Sequence, residues 1–313
     1  MNRSHAPRRL SLVFALFAAG LALAGCVSGT PAEPDTTGSD KLLVVVGLYP
    51  YAFAAQRLAG DDAEIVNLTQ PGAEPHDLEL TAKQVAQVGQ ADLVVFQRGL
   101  QPAVDAAVAQ ASPAHTLDVT TIVSLTEREQ EDGADEEEGD GLDPHVWLDV
   151  DRFGAIAIAL GQALGQADPA HAADYAARAD SLQAELADLD ADYRDGLDAC
   201  ASRAFITSHA AFGYLADRYS LIQIPIAGLS PEAEPGPAWL ARVQAEAEAN
   251  HLTTVFTEPL SAPDLAESLA ADLGLAVDVL DPIEGITDAS AATDYMGLMR
   301  DNLEALRTAN GCD

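Results

Sequence analysis

Positive charge is what this chain has least of. Sixteen Lys and Arg stand against fifty Asp and Glu, for a formal net charge of −34, and only Lys41 and Lys83 are lysines. Phosphate neutralisation needs clustered cations, so the composition argues against nucleic acid as a partner. The acidic surface suits a soluble protein in a salty or extracellular setting and attracts cations at long range. Long hydrophobic runs are also lacking beyond the first residues, so no later stretch predicts a transmembrane span. Cysteine is nearly absent, with three in 313 residues, and histidine is sparse at seven. Apolar residues nonetheless make up 48%. That excludes global disorder and leaves enough material for two domains with cores.

The first residues carry processing signals. Arg3, Arg8 and Arg9 form a basic start, and Leu10 to Leu23 an apolar stretch too short to span a bilayer comfortably. Ala24 and Gly25 then precede Cys26, the order of bacterial lipoprotein processing. Residues 1–25 are expected to be a signal peptide, and Cys26 a lipid anchor at the outer face of the cytoplasmic membrane. Residues 26–40, rich in Pro, Thr and Asp from Thr30 on, are expected to be a flexible tether. Cys200 and Cys312 remain, an even pair in an oxidising compartment, and a disulfide between them is expected, with two free thiols as the alternative.

From Lys41 on, short apolar runs alternate with helical patterns. Runs at 42–46, 64–68, 93–96 and 116–119 predict parallel strands, with helices over 51–58, from Thr81 and over 102–110. Thr81 and Gln84 have the spacing of a capping box. The segment 127–140 breaks the rhythm: nine acidic residues, one arginine and nothing apolar larger than alanine predict a mobile loop, 127–141. Asp168-Pro169 is expected to cap a long helix whose buried stripe is Tyr175, Leu182, Leu186, Leu189, Tyr193 and Leu197. A second series then predicts strands at 204–207, 221–226, 253–256 and 276–280, with helices over 210–219, 237–249, 263–273 and 291–309. The fold class is α/β: two similar lobes, 41–165 and 199–313, each a parallel sheet flanked by helices, joined by one long helix over 166–198.

Open α/β sheets place ligand groups just beyond the carboxyl ends of their strands. His76, His209, Glu258 and Asp281 all follow strands, and His145 sits in the loop LDPHVWLD (142–149). Three imidazoles and one carboxylate make a closed tetrahedral zinc site. His5, His115, His171 and His251 lack comparable surroundings and are taken as ordinary surface or core residues.

GAEPHDLEL (72–80), LDPHVWLD (142–149), TSHAAFGYLADRY (207–219), FTEPLSAPDLAESLA (256–270) and VLDPIEG (279–285) resemble, in the same order, the zinc/manganese solute-binding lipoproteins of ABC importers. The resemblance covers 42–309. It implies two α/β lobes on one rigid helix, with the metal in the cleft between them. It implies His76 and His145 as ligands from the first lobe, and His209 and Asp281 from the second. Some relatives use a carboxylate beside the first histidine, which makes Glu74 the reserve for Asp281. Glu258 is the candidate to accept a hydrogen bond from a ligand imidazole and orient it. Family members with glutamate at the third position tend toward manganese. Here that residue is His209, and a nitrogen-rich site suits zinc.

The function so implied is an extracytoplasmic zinc receptor, acting as a monomer, that delivers Zn(II) to an ABC permease. Three rivals stand beside it. A manganese or iron receptor keeps the class and changes the metal. A zinc hydrolase would need an open metal position and a base such as Glu258, and the chain has no His-Glu-x-x-His motif. A surface adhesin would use the metal structurally only.

Overall fold

The computed structural model describes residues 41–128, 141–287, 290, 292 and 294–312. The signal peptide, Cys26, the tether and the acidic stretch 129–140 lie outside the described residues.

Two four-stranded parallel sheets form the frame. In the first lobe, β1 (Leu42–Val46) lies between β2 (Ala63–Asn67) and β3 (Leu93–Phe96), and β4 (Thr116–Asp118) extends the sheet beyond β3. The short antiparallel pair β5 (Thr126–Glu127) and β6 (Leu142–Asp143) follows. In the second lobe β7 (Ala204–Thr207) lies between β8 (Ile222–Pro225) and β9 (Thr254–Thr257), with β10 (Ala276–Val279) outermost. Counted within each lobe, both sheets run second, first, third, fourth. The strands of one lobe therefore repeat the topology of the other.

The sequence explains these elements locally. All four residues of β3 and of β7 are buried, and all but Thr207 are apolar, as suits strands covered on both faces. The helix α1 (Tyr49–Ala59) has Pro50 in its first turn, where a missing N–H costs nothing. The helix α2 (Ala82–Gln90) opens on the capping box expected at Thr81 and Gln84. Next come α3 (Pro102–Ala111), and in the second lobe α6 (Gly213–Tyr219), α7 (Pro237–Ala249), α8 (Asp264–Leu273) and α9 (Tyr295–Asn310).

Two expectations about the middle of the chain need correction. Between the lobes run two helices, α4 (Val150–Ala167) and α5 (Ala172–Gly196), packed side by side along their length. The sequence reading missed α4, although Phe153, Ile156, Leu160 and Leu164 keep helical spacing and are buried. Its glycines weaken helix propensity. Packing explains them: a Cβ on Gly161 would lie 2.9 Å from the Ala179 Cβ and 3.3 Å from the Tyr175 carbonyl of α5. Asp168 closes α4 rather than opening α5; its backbone N–H donates to the Leu164 carbonyl. Its side chain accepts from the Ala170 N–H, His171 Nδ1 and Tyr175 Oη. The helix α5 begins three residues beyond Pro169 and, at 25 residues, is about 37 Å long. Its buried stripe is the predicted one. Glu127, expected to begin the mobile loop, instead pairs with Leu142 in the β5–β6 ladder.

One apolar core runs through both lobes. It joins Val44 and Val46 of β1, the inner faces of α4 and α5, Phe205 and Phe256 of the second sheet, and Tyr295 and Leu306 of α9. A continuous core resists wide opening of the lobes, because interiors are close-packed and not continuously deformable. Two smaller clusters cover the outer faces of the sheets.

Cys200 and Cys312 are joined in a disulfide that ties the end of α9 to the entry of the second lobe. They are 112 residues apart in sequence, so the bond removes much freedom from the unfolded chain. Replacing both by serine is expected to lower unfolding stability by about 2–4 kcal/mol, read by denaturant titration of the metal-free protein.

Candidate metal centre

Four side chains converge at the carboxyl ends of the strands. His76 lies in the loop after β2, His145 directly after β6, His209 directly after β7, and Glu284 in the turn after β10. One ligand atom from each lies within 4.8 Å of all the others. Glu284 Oε1 is 3.1 Å from His76 Nε2, 3.2 Å from His145 Nε2 and 3.7 Å from His209 Nε2. The Nε2 atoms of His145 and His209 are 3.4 Å apart. His145, His209 and Glu284 are fully or almost fully buried, whereas the His76 side chain keeps 12% exposure and marks the solvent side.

Local sequence sets each position. Pro71 and Gly72 turn the chain after β2, with the Ala73 N–H donating to the Gln70 carbonyl and Gly72 at φ +80°, where glycine is at ease. The Glu74 carboxylate accepts from the His76 N–H at 3.0 Å. Glu74 thus shapes the loop that carries His76 and is not among the four converging groups. Burial, and then the neighbouring Glu284, push its carboxyl pKa up.

Asp143 accepts from both the backbone N–H, at 3.0 Å, and Nδ1, at 2.9 Å, of His145. Glu258 does the same for His209, at 3.1 and 2.6 Å. With Nδ1 engaged as donor, each ring turns the Nε2 lone pair toward the centre, the arrangement that fixes a ligand tautomer. The two carboxylates are themselves held. Arg128 Nε lies 3.0 Å from Asp143, and Ser261 donates to Glu258 at 3.0 Å. Glu258, the candidate to orient an imidazole, thus hydrogen-bonds His209, while Asp143, its counterpart on His145, was not foreseen. Sheet order explains the Glu258–His209 pair: β7 and β9 are neighbours, so residues just past their ends meet.

The fourth group differs from the expectation. Asp281 is buried but lies outside the converging set. Its Oδ1 accepts from the Ile283 N–H at 2.7 Å, and its backbone N–H and carbonyl pair with the Asn302 side chain at 2.8 and 2.7 Å. It caps the turn that carries Glu284, the ordinary work of Asp before Pro. Burial pushes its carboxyl up to about 7. The sequence did hold a cue to Glu284: in DPIEG, an Asp committed to the turn leaves the Glu as the free acid.

Electrostatics couple the four groups. Burial opposes charge on Glu284, His145 and His209. For Glu284 the three imidazoles outweigh it and hold the carboxyl well below its usual range. For His145, Asp143 and Glu284 outweigh it and raise the imidazole. For His209, Glu258 and Glu284 do so more strongly. The Nε2 atoms of the three histidines surround the Glu284 carboxylate, so a divalent cation that displaced any protons there would find three neutral nitrogens and one anionic oxygen.

A two-lobed α/β protein with a His₃Glu centre at its strand ends is the class that fold and site define. The sequence comparison gives the family: residues 44–309 match that of the zinc-uptake complex component A, periplasmic, and the chain belongs to it. It is 31% identical to the high-affinity zinc uptake system protein ZnuA of Bacillus subtilis, over 96% of this chain and 97% of that one. It is 32% identical to the zinc-binding lipoprotein AdcA of Streptococcus pneumoniae, over 96% of this chain and 60% of that longer protein. The crystal structure of the Zn(II)-bound ZnuA-like domain of pneumococcal AdcA superposes with a TM-score of 0.72 at 31% identity, covering 86% of this chain and 99% of that one.

Glutamine at Glu258 would keep the shape and change which groups donate around His209. Glu258→Gln is expected to weaken zinc binding by about 10–100-fold, measured by chelator competition, with little change in the metal-free fold.

Proposed function

We propose that this chain is the extracytoplasmic zinc receptor of an ABC-type importer, with His76, His145, His209 and Glu284 as the ligands. The observation that carries the reading is the spacing of the four ligand atoms. Zn–N and Zn–O distances near 2.0–2.1 Å put the corners of a zinc tetrahedron about 3.3 Å apart. The three Glu284–histidine separations and the His145–His209 separation run from 3.1 to 3.7 Å, and all four atoms lie within 4.8 Å of one another. Zinc needs only the loss of protons and a small adjustment to fit. Family membership and the zinc-named relatives support the same reading.

The same geometry speaks against the rivals. A hydrolase keeps one zinc position open for water, whereas Glu284 Oε1 closes the fourth corner. We therefore read the protein as a receptor and not an enzyme. Manganese prefers oxygen donors and higher coordination, which three imidazoles and one carboxylate do not offer.

Zinc would enter past His76, the ligand that retains exposure, and give up its last waters to the buried pair His145 and His209. Delivery requires a membrane permease as partner. Lipid on Cys26 would keep the receptor at the membrane surface, with 26–40 as its tether. No described helix is long and apolar enough to cross a membrane.

The test is a titration of the metal-stripped protein with zinc and manganese in competition. One tight zinc per chain that excess manganese does not displace is the expected result. Equal or stronger binding of manganese, or no tight site, overturns the reading.

A further inference from the structure

The two residues that flank the site on opposite lobes are tied to each other. Trp147 stands two residues after His145, in the helical turn Val146–Leu148, and Pro282 stands two residues before Glu284. The indole N–H of Trp147 donates to the Pro282 carbonyl at 2.7 Å, fully buried. Glu284's own carboxylate aside, this is the hydrogen bond that joins the Glu284 turn to the His145 segment among the described residues. Both ends are themselves anchored. Tyr295 Oη donates to the Trp147 carbonyl, and the Trp147 ring packs edge-on against His145 with centroids 5.3 Å apart. On the other side, Asn302 brackets the Asp281 backbone and Asp281 caps the Ile283 N–H.

The turn needs such restraint. Ile283 sits at φ +59°, a left-handed conformation that β-branched residues avoid. A strained residue next to a functional group persists only where its surroundings over-determine it. Here the strained residue immediately precedes the one carboxylate of the centre.

We propose that Trp147 is a positioning residue for metal binding: by holding the Pro282 carbonyl, its N–H sets Glu284 in reach of all three imidazoles across the lobes. It touches no metal and acts through Glu284. The inference rests on the zinc-receptor reading above. Trp147 also makes the centre cooperative, because movement of the His145 segment carries the Glu284 turn with it.

The experiment is a double-mutant cycle read as zinc affinity and zinc dissociation rate, on wild type, Trp147→Phe, Glu284→Gln and the double variant. Trp147→Phe is expected to weaken zinc by about 10–100-fold, through faster release. In the Glu284→Gln background the same change is expected to cost no more than about twofold, since the group it acts through is gone. Equal losses in both backgrounds, or no loss in either, overturn the proposal.

A second measurement covers the case in which Trp147→Phe folds poorly. The chain has only two tryptophans, Trp147 and Trp239, so Trp239→Phe leaves Trp147 as the sole reporter. Its fluorescence is expected to change on zinc saturation, and that change is expected to be smaller in Trp239→Phe with Glu284→Gln at saturating zinc, where only the contact with His145 still reports the ion. A change of undiminished size without the Glu284 carboxylate overturns the proposal. Absence of tight zinc in the wild type would instead strike the receptor reading itself, so the two failures are distinct.

Discussion

Glu284→Gln is expected to cost zinc affinity about 10²–10⁴-fold, whereas Asp281→Asn is expected to leave it within about tenfold. The larger figure follows from removing one partner of a buried charge set, about 3–5 kcal/mol. The amide of Gln keeps the shape but offers no anion to three imidazoles that all lie within 3.7 Å of Oε1. Asp281 acts one turn earlier. Its Oδ1 accepts from the Ile283 N–H, and an Asn side-chain oxygen can accept the same bond. The cost of Asp281→Asn should therefore appear as a modest loss of fold stability and not as loss of metal. Chelator competition on both variants, with thermal unfolding alongside, separates the two roles. A zinc loss larger for Asp281→Asn than for Glu284→Gln would return the fourth ligand to Asp281.

Zinc is expected to stabilise the fold by about 4 kcal/mol at a thousandfold excess over its dissociation constant, and more beyond that. The gain should widen as pH rises from about 6 to about 8, and its sign follows from the shifts at the centre. His145 and His209 are raised above the ordinary imidazole value. Their contribution to the metal-free fold is present below about 6.5 and is lost as pH rises through their raised values. Glu284 is depressed, so its contribution is present above the ordinary carboxyl value and is lost only when pH falls through its lowered one. Toward alkaline pH the metal-free centre thus keeps a buried anion while losing its imidazolium partners. Zinc binding strengthens in the same direction, because the ligands must be deprotonated. Thermal unfolding with and without zinc at the two pH values reads the difference. A gain that is flat or shrinks over this range would contradict the proton–metal exchange proposed for the centre.

The sequence carried much of this in local chemistry. The fully buried runs of β3 and β7, the capping box at Thr81 and Gln84, and the stripe along α5 are each legible from neighbours in the chain. So were His76, His145 and His209, which stand in distinctive motifs just past strands, and Glu258, placed opposite His209 by the adjacency of β7 and β9. What escaped depended on tertiary contact. The helix α4 has glycines that lower its propensity, and the reason for them, close approach to Ala179 and Ala172 of α5, lies in another helix. Asp168 looked like a helix start because its side chain does cap a turn, but that turn lies between two helices. Glu284 was passed over for Asp281 because the choice turns on which acid is used up by the backbone. That is decided by Ile283 at positive φ and by Asn302, twenty-one residues beyond Asp281. Trp147 carried no assigned role in the sequence, because its role depends on an N–H that meets a carbonyl of the other lobe.

These contacts also bear on motion. The core is continuous from β1 through α4 and α5 to α9, and Trp147 crosses the cleft beside the metal centre. Capture of the ion by such a protein is therefore expected to be a local tightening of ligands and turns. The His76 loop, with the exposed ligand, is the part placed to yield.

The most direct measurement is a crystal structure of the zinc-loaded protein with anomalous data at the zinc edge. One ion is expected, bound at about 2.0–2.2 Å by the Nε2 atoms of His76, His145 and His209 and by a Glu284 oxygen, with no water in its shell. An ion whose fourth position is water or Asp281, or an ion seated away from these histidines, would contradict the account.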